Sequence, residues 1–145
     1  MNEPASLSTI EDSAFVELRI PPKAEWAAVA RLTVAAVASR LDFSLDEIDD
    51  IKLAVAEACT HAIGRSNGDH PVELIFEAQP DSIIVTVRDF STSPHLESVA
   101  DELDENHVGG LGLFIIQSLM DDVDFHVDAG TGGELTMAKR VGGTF

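Results

Sequence analysis

The chain carries a single cysteine, Cys59, among its 145 residues. That excludes a disulfide framework and a cysteine-ligated zinc cluster. Positive charge is scarce as well: nine Lys and Arg stand against 26 Asp and Glu, for a formal net charge of −17. Such a chain is a poor match for nucleic acid, whose phosphates need Lys and Arg, and for an anionic membrane surface. It suits a protein partner with a basic face, because opposite charge speeds encounter. The bland alternative is a solvated acidic surface that aids solubility. No stretch reaches the ~18 continuous apolar residues of a membrane span, and no basic segment followed by an apolar run opens the sequence. A cytoplasmic location is therefore expected. Internal repeats and low-complexity linkers are missing too.

What is present is the make-up of a soluble globular domain, 45% apolar and 24% charged. Residues 1–12 are polar and read as a flexible terminus, and 13–145 as one domain. "SAFVELRI" (13–20) reads as an edge strand stopped by Pro21-Pro22. Trp26, Val29, Ala30, Thr33 and Val37 recur at helical spacing, which predicts a first helix over about 24–41. Ser44 and Glu47 form a capping-box pattern ahead of a second helix. Its buried face runs through Ile48, Ile51, Val55, Ala58 and Ala62, and Gly64 or Gly68 ends it. Strands at 72–79 and 82–89 flank Pro80-Asp81, a hairpin signal. The polar segment 90–108 reads as a mobile loop. A helix over about 111–121, a strand at 123–128, a Gly-rich turn at 130–133 and a strand at 134–141 complete the order. The fold class expected is α+β: a two-layer α/β sandwich, with a mixed, mostly antiparallel sheet and helices on one face.

Three features stand out chemically. Glu57 lies inside "LAVAEACTHAI", an apolar helical stretch where a carboxylate must be paired, hydrogen-bonded or facing a cleft. His61 follows one turn later on the same side. The two read either as a helix-surface pair, as groups facing a cleft, or as a weak two-ligand metal site. Asp89 ends an apolar strand, where it could meet a ligand amine or start a turn. Gly109, Gly110 and Gly112 precede an apolar helix. They allow close packing, or they aim backbone N–H groups and the helix dipole at a phosphate.

Taken in order, these stretches resemble the GHKL ATP-binding superfamily (the histidine-kinase-like ATPases), and within it the RsbW-like anti-sigma-factor serine kinases. "IKLAVAEACTHAI" is similar to the family's N-box helix, "VRDF" to the strand end of its first glycine box, and "GGLGLFIIQSLMDDV" to its second. "GTGGELTMAKRV" resembles its last strands. The resemblance implies ATP held between the helices and a lid, with Mg²⁺ required. It implies that Glu57 is the general base for a substrate serine and that Asp89 binds the adenine amino group. Gly109, Gly110, Leu111 and Gly112 would surround the phosphates. A sigma factor and a STAS-domain anti-anti-sigma protein are the implied partners, and a homodimer the implied assembly.

The sequence departs from that pattern in four places. His61 stands where the family has an Asn that binds Mg²⁺, and imidazole suits softer metals such as Mn²⁺ better. "DFSTS" replaces Asp-x-Gly-x-Gly, so Ser91 and Ser93 stand for glycines. Thr131 and Glu134 compete for the place of an adenine-side threonine. No Lys or Arg occurs from 89 to 138, which leaves His95, His107, backbone and metal to meet phosphate from the lid. Two readings follow: an ATP-dependent serine-protein kinase and anti-sigma factor, or a catalytically degenerate module of the same fold that binds sigma or STAS partners.

Overall fold

The computed structural model describes residues 13–66, 70–90, 108–128 and 130–142. The expected flexible terminus (1–12), Gly68, and the lid segment with Ser91, Ser93, His95 and His107 lie outside the described residues. The elements in chain order are β1 (Ala14–Ile20), a 3-10 turn (Ala24–Trp26), α1 (Ala27–Ala38), α2 (Leu45–Ser66), β2 (Val72–Gln79), β3 (Ser82–Asp89), α3 (Val108–Leu119), β4 (Asp122–Asp128) and β5 (Gly132–Arg140). The five strands form one sheet in the order β1-β2-β3-β5-β4, antiparallel at every pairing.

Period-2 alternation sorts the strands into two faces. Leu74, Val87 and Leu135 are cross-strand neighbours, as are Phe76, Val85 and Met137. All six are buried beneath the helices. They meet Ala30, Val34 and Val37 of α1, Ile51, Val55, Ala58 and Cys59 of α2, and Leu113 and Ile116 of α3. The small residues of α2 let it lie close over β3. Asp89 continues the parity of Ile83, Val85 and Val87, so its carboxylate turns inward.

The outward face of the same strands carries a charged row that crosses the whole sheet. Arg19, Glu73, Arg88, Glu134 and His126 are consecutive register partners, one per strand. Glu73 meets Arg19 at 3.6 Å and Arg88 at 3.3 Å, and Glu134 meets Arg88 at 2.6 Å and His126 at 3.5 Å. The hydrogen bond to Glu134, with Glu73 adding to it, pushes the Arg88 guanidinium up from its ordinary value and keeps it charged. From Arg19 to Glu134 alternating signs match the register, and with Arg19 exposed each pair contributes little singly.

Local signals explain the element ends. Ser44 N–H donates to Glu47 Oε1 at 2.8 Å, and Glu47 N–H donates to Ser44 Oγ at 3.1 Å, closing the capping box at α2. Glu47 Oε2 also accepts from Gly142 N–H at 3.0 Å, tying the far end of the chain to that cap. Lys139 is 3% exposed, and its ammonium reaches the Leu119 carbonyl at 2.8 Å, a cation placed on the C-terminus of α3.

Several boundaries differ from the sequence reading. The first helix is α-helical only over 27–38; residues 24–26 form the 3-10 turn, and Leu41 N–H returns to Ala38 in a turn. The third helix begins at Val108, so the glycine cluster forms its first turn instead of preceding it. Glycine weakens a helix interior, but the first N–H groups of a helix carry no ladder bonds to lose. β5 likewise starts two residues earlier, at Gly132.

Candidate functional site

Position 57 faces α3. An ideal Cβ added at Gly112 would sit 3.4 Å from Glu57 Oε1, so the first turn of α3 runs directly against the half-buried carboxylate. The structure thus joins Glu57 to the glycine cluster that the sequence placed 52 residues away. The turn includes Gly109, Gly110 and Leu111, and the first four N–H groups of any α-helix have no intrahelical acceptor. Donors that point outward beside a positive helix end suit an anionic ligand. Glu57 supplies a carboxylate at the margin of that donor set.

His61, one turn further along α2, faces the sheet. It is 9% exposed, and its ring meets Phe125 of β4 edge-on, with centroids 4.9 Å apart and planes at 83°. A metal test follows from this. Mg²⁺ wants oxygen ligands in near-octahedral array, and an imidazole packed on a phenyl ring does not supply one. Among the described residues, no three His, Cys, Asp or Glu side chains gather to hold a metal. The side chains present do not fit Mg²⁺ by themselves.

Asp89 is held firmly. Its Oδ2 accepts from Arg65 Nε at 3.0 Å, with the two side chains 2% and 11% exposed, and its Oδ1 accepts from Gly133 N–H at 3.1 Å. Glycine is required on both sides of that contact. A Cβ at Gly133 would lie 2.6 Å from Asp89 Oδ2 and 3.0 Å from Arg65 Nε. Gly132 has φ +104°, and a Cβ there would collide with the Asp89 carbonyl oxygen. The guanidinium of Arg65 also sits over the Phe125 ring, 5.9 Å from its centroid. Arg65 was missed in the sequence, although the i, i+4, i+8 stripe Glu57, His61, Arg65 was readable there. A basic residue in the last turn of a helix is ordinary dipole complement, and its partner lies 24 residues on.

Beside Asp89, at the ends of β3, β4 and β5, opens a pocket of about 310 Å³ lined by Arg88, His126 and Glu134 of the outward face and by Phe90, Thr131 and Gly133. That volume is at the small end for ligand sites. Both candidates for the adenine-side position line it, but Glu134 is bound to Arg88 on the outward face. Glu57 does not line this pocket. Glu57 and Arg65 are eight residues apart on one helix stripe, about 12 Å at 1.5 Å per residue. Glu57 and the α3 turn thus stand two helical turns along α2 from the Arg65–Asp89 pair.

Cys59, one turn before Ile63 on the same helix, is fully buried, and burial pushes its thiol up from 9.0 to about 12. A thiol so placed is inert as a nucleophile or ligand.

Comparison with known proteins matches this arrangement. A match to the histidine kinase-like ATPase domain family covers residues 20–139. The serine-protein kinase RsbW of Listeria monocytogenes is 36% identical over 145 aligned residues, spanning 90% of this chain and 89% of that protein. That of Oceanobacillus iheyensis is 36% identical, covering 75% and 77%. The Bacillus licheniformis protein of the same name is 33% identical, covering 84% of each. With a two-layer fold, a glycine-started helix against Glu57, and a family match over most of its length, the chain belongs to the histidine kinase-like ATPase family.

Proposed function

We propose that this protein is an ATP-dependent serine-protein kinase that also sequesters a sigma factor, its phosphoryl acceptor being a STAS-domain anti-anti-sigma protein. The observation that carries the reading is the contact of Gly112 with Glu57. It brings a carboxylate beside a helix N-terminus, an arrangement that suits a base next to a phosphate. Glu57 takes the proton from the substrate serine hydroxyl as the oxygen attacks the γ-phosphorus of ATP. The bond from that phosphorus to the bridging oxygen breaks, and ADP leaves with the electron pair. N–H groups of Gly109, Gly110 and Leu111 face the oxygens on which charge builds, Gly112 packs against Glu57, and Asp89 holds the adenine amino group at the far end. Positioning and charge neutralisation supply most of the catalysis in such transfers.

His61 favours a second reading. Turned onto Phe125, it leaves the usual Mg²⁺ ligand position without an oxygen donor, as a slow kinase or a pure binding module would have. The acidic surface fits protein partners with basic faces, and a homodimer in the cytoplasm is the assembly in which the sigma factor would be met. Millimolar ATP or ADP with Mg²⁺ should raise the melting temperature by mass action. The absence of both a thermal shift and calorimetric heat would refute both readings at once, since each places nucleotide in the same cleft.

A further inference from the structure

We propose that Arg65 is a positioning residue for recognition of the nucleotide base, acting through Asp89 on the 6-amino group of adenine. The inference rests on the reading of Asp89 as the adenine acceptor and adds a residue to it. Four observations support it. Arg65 and Asp89 are joined at 3.0 Å, and both side chains are almost wholly withdrawn from solvent. Gly133 N–H fixes the other carboxylate oxygen, so the plane of the carboxylate is set by one side chain and one backbone donor. The absence of a Cβ at Gly133 leaves the space the pair occupies. Phe125 supports the guanidinium from β4, which makes Arg65 a bridge from α2 to β3 and β4.

The chemistry follows from the donor and acceptor inventory. A carboxylate accepts hydrogen bonds at about four sites, and two fixed donors determine which of them faces a ligand. Adenine offers an N–H donor at its 6-position. A purine with a carbonyl there offers an acceptor, which a fixed carboxylate repels. Arg suits the task better than Lys because its planar fork is pre-organised, whereas an ammonium is a point charge on a flexible stem. Without Arg65 the carboxylate loses the donor on Oδ2 that sets its orientation, and the preference for a 6-amino purine falls.

The test compares ATP with purine riboside triphosphate, which carries hydrogen in place of the 6-amino group, in binding titrations of the natural protein, Arg65→Met and Arg65→Lys. The natural protein should prefer ATP by roughly tenfold or more, as expected for one hydrogen bond to a charged acceptor. Arg65→Met should bind ATP about tenfold more weakly and the analogue unchanged, so that the preference disappears; Arg65→Lys should keep part of it. Equal weakening of both nucleotides, or a preference left intact in Arg65→Met, overturns the proposal. If Arg65→Met does not fold, full ATP preference in Arg65→Lys overturns it just as well. A natural protein that binds ATP no better than the analogue overturns the assignment of Asp89 itself, a different result from either.

Discussion

Three glycines of this chain sit in contrasting surroundings, and alanine at each reports on a different part of the account. Gly132 has φ +104°, and its Cβ would run into the carbonyl oxygen of Asp89, a backbone atom that cannot rotate away. An L-residue in such a conformation costs about 1–3 kcal/mol, and overpacking a buried contact adds about 1–3 kcal/mol. Gly132→Ala should therefore destabilise by about 3 kcal/mol or more. At this chain length that corresponds to a melting temperature lower by roughly 6–12 °C. Gly64 lies in α2 with nothing within 4 Å of its missing Cβ. Gly64→Ala should gain about 0.5–1 kcal/mol of helix propensity, a rise of roughly 1–4 °C. Gly112→Ala meets only Glu57 Oε1 at 3.4 Å, so it should leave stability nearly unchanged and impair phosphoryl transfer. Calorimetric scans of the three variants, with a transfer assay on the third, decide the matter. A melting temperature for Gly132→Ala within about 1 °C of the natural protein would refute the claim that the β5 start is built around Asp89.

Two further outcomes are expected. Below pH 9, Cys59 is a thiol in both folded and unfolded chains; above it the unfolded thiol ionises while the folded one, raised to about 12, does not. Stability is therefore lost as pH rises from 9 toward 12, and between pH 8.5 and 10.5 the natural protein should lose about 2 kcal/mol relative to Cys59→Ala in urea titrations; parallel curves would contradict this. His61→Asn gives up an aromatic contact worth about 1 kcal/mol and should raise Mg²⁺-dependent turnover by about 10-fold, or ~1.4 kcal/mol in the barrier. Mn²⁺ should help the natural protein more than the variant, whereas fast Mg²⁺ turnover in the natural protein with no gain in His61→Asn would remove His61 as the handicap.

Much of the fold was legible because the local signals agree with one another. Ser44 and Glu47, the Pro80-Asp81 hairpin and the strict alternation of "VELIFEAQ" and "SIIVTVRD" each have one physical reading. Motif order put Glu57 ahead of the glycine turn, and Gly112 lies against Glu57. Boundaries were less legible where propensity and context compete: glycines at 109, 110 and 112 read as a turn before a helix, yet they form its first turn. The Arg65–Asp89 pair and the charged row from Arg19 to His126 depend on register and packing between distant segments. No spacing along the chain encodes those.

The account stands on Glu57 as the base at a phosphate-facing helix end. Its most direct test is single-turnover phosphoryl transfer from ATP to a STAS-domain serine, in the natural protein and in Glu57→Gln, with ATP and sigma-factor affinity measured in parallel. Loss of transfer by at least ~10²-fold, with both affinities nearly unchanged, is the result expected when a general base is removed without loss of bulk. Transfer by Glu57→Gln at the natural rate would contradict it.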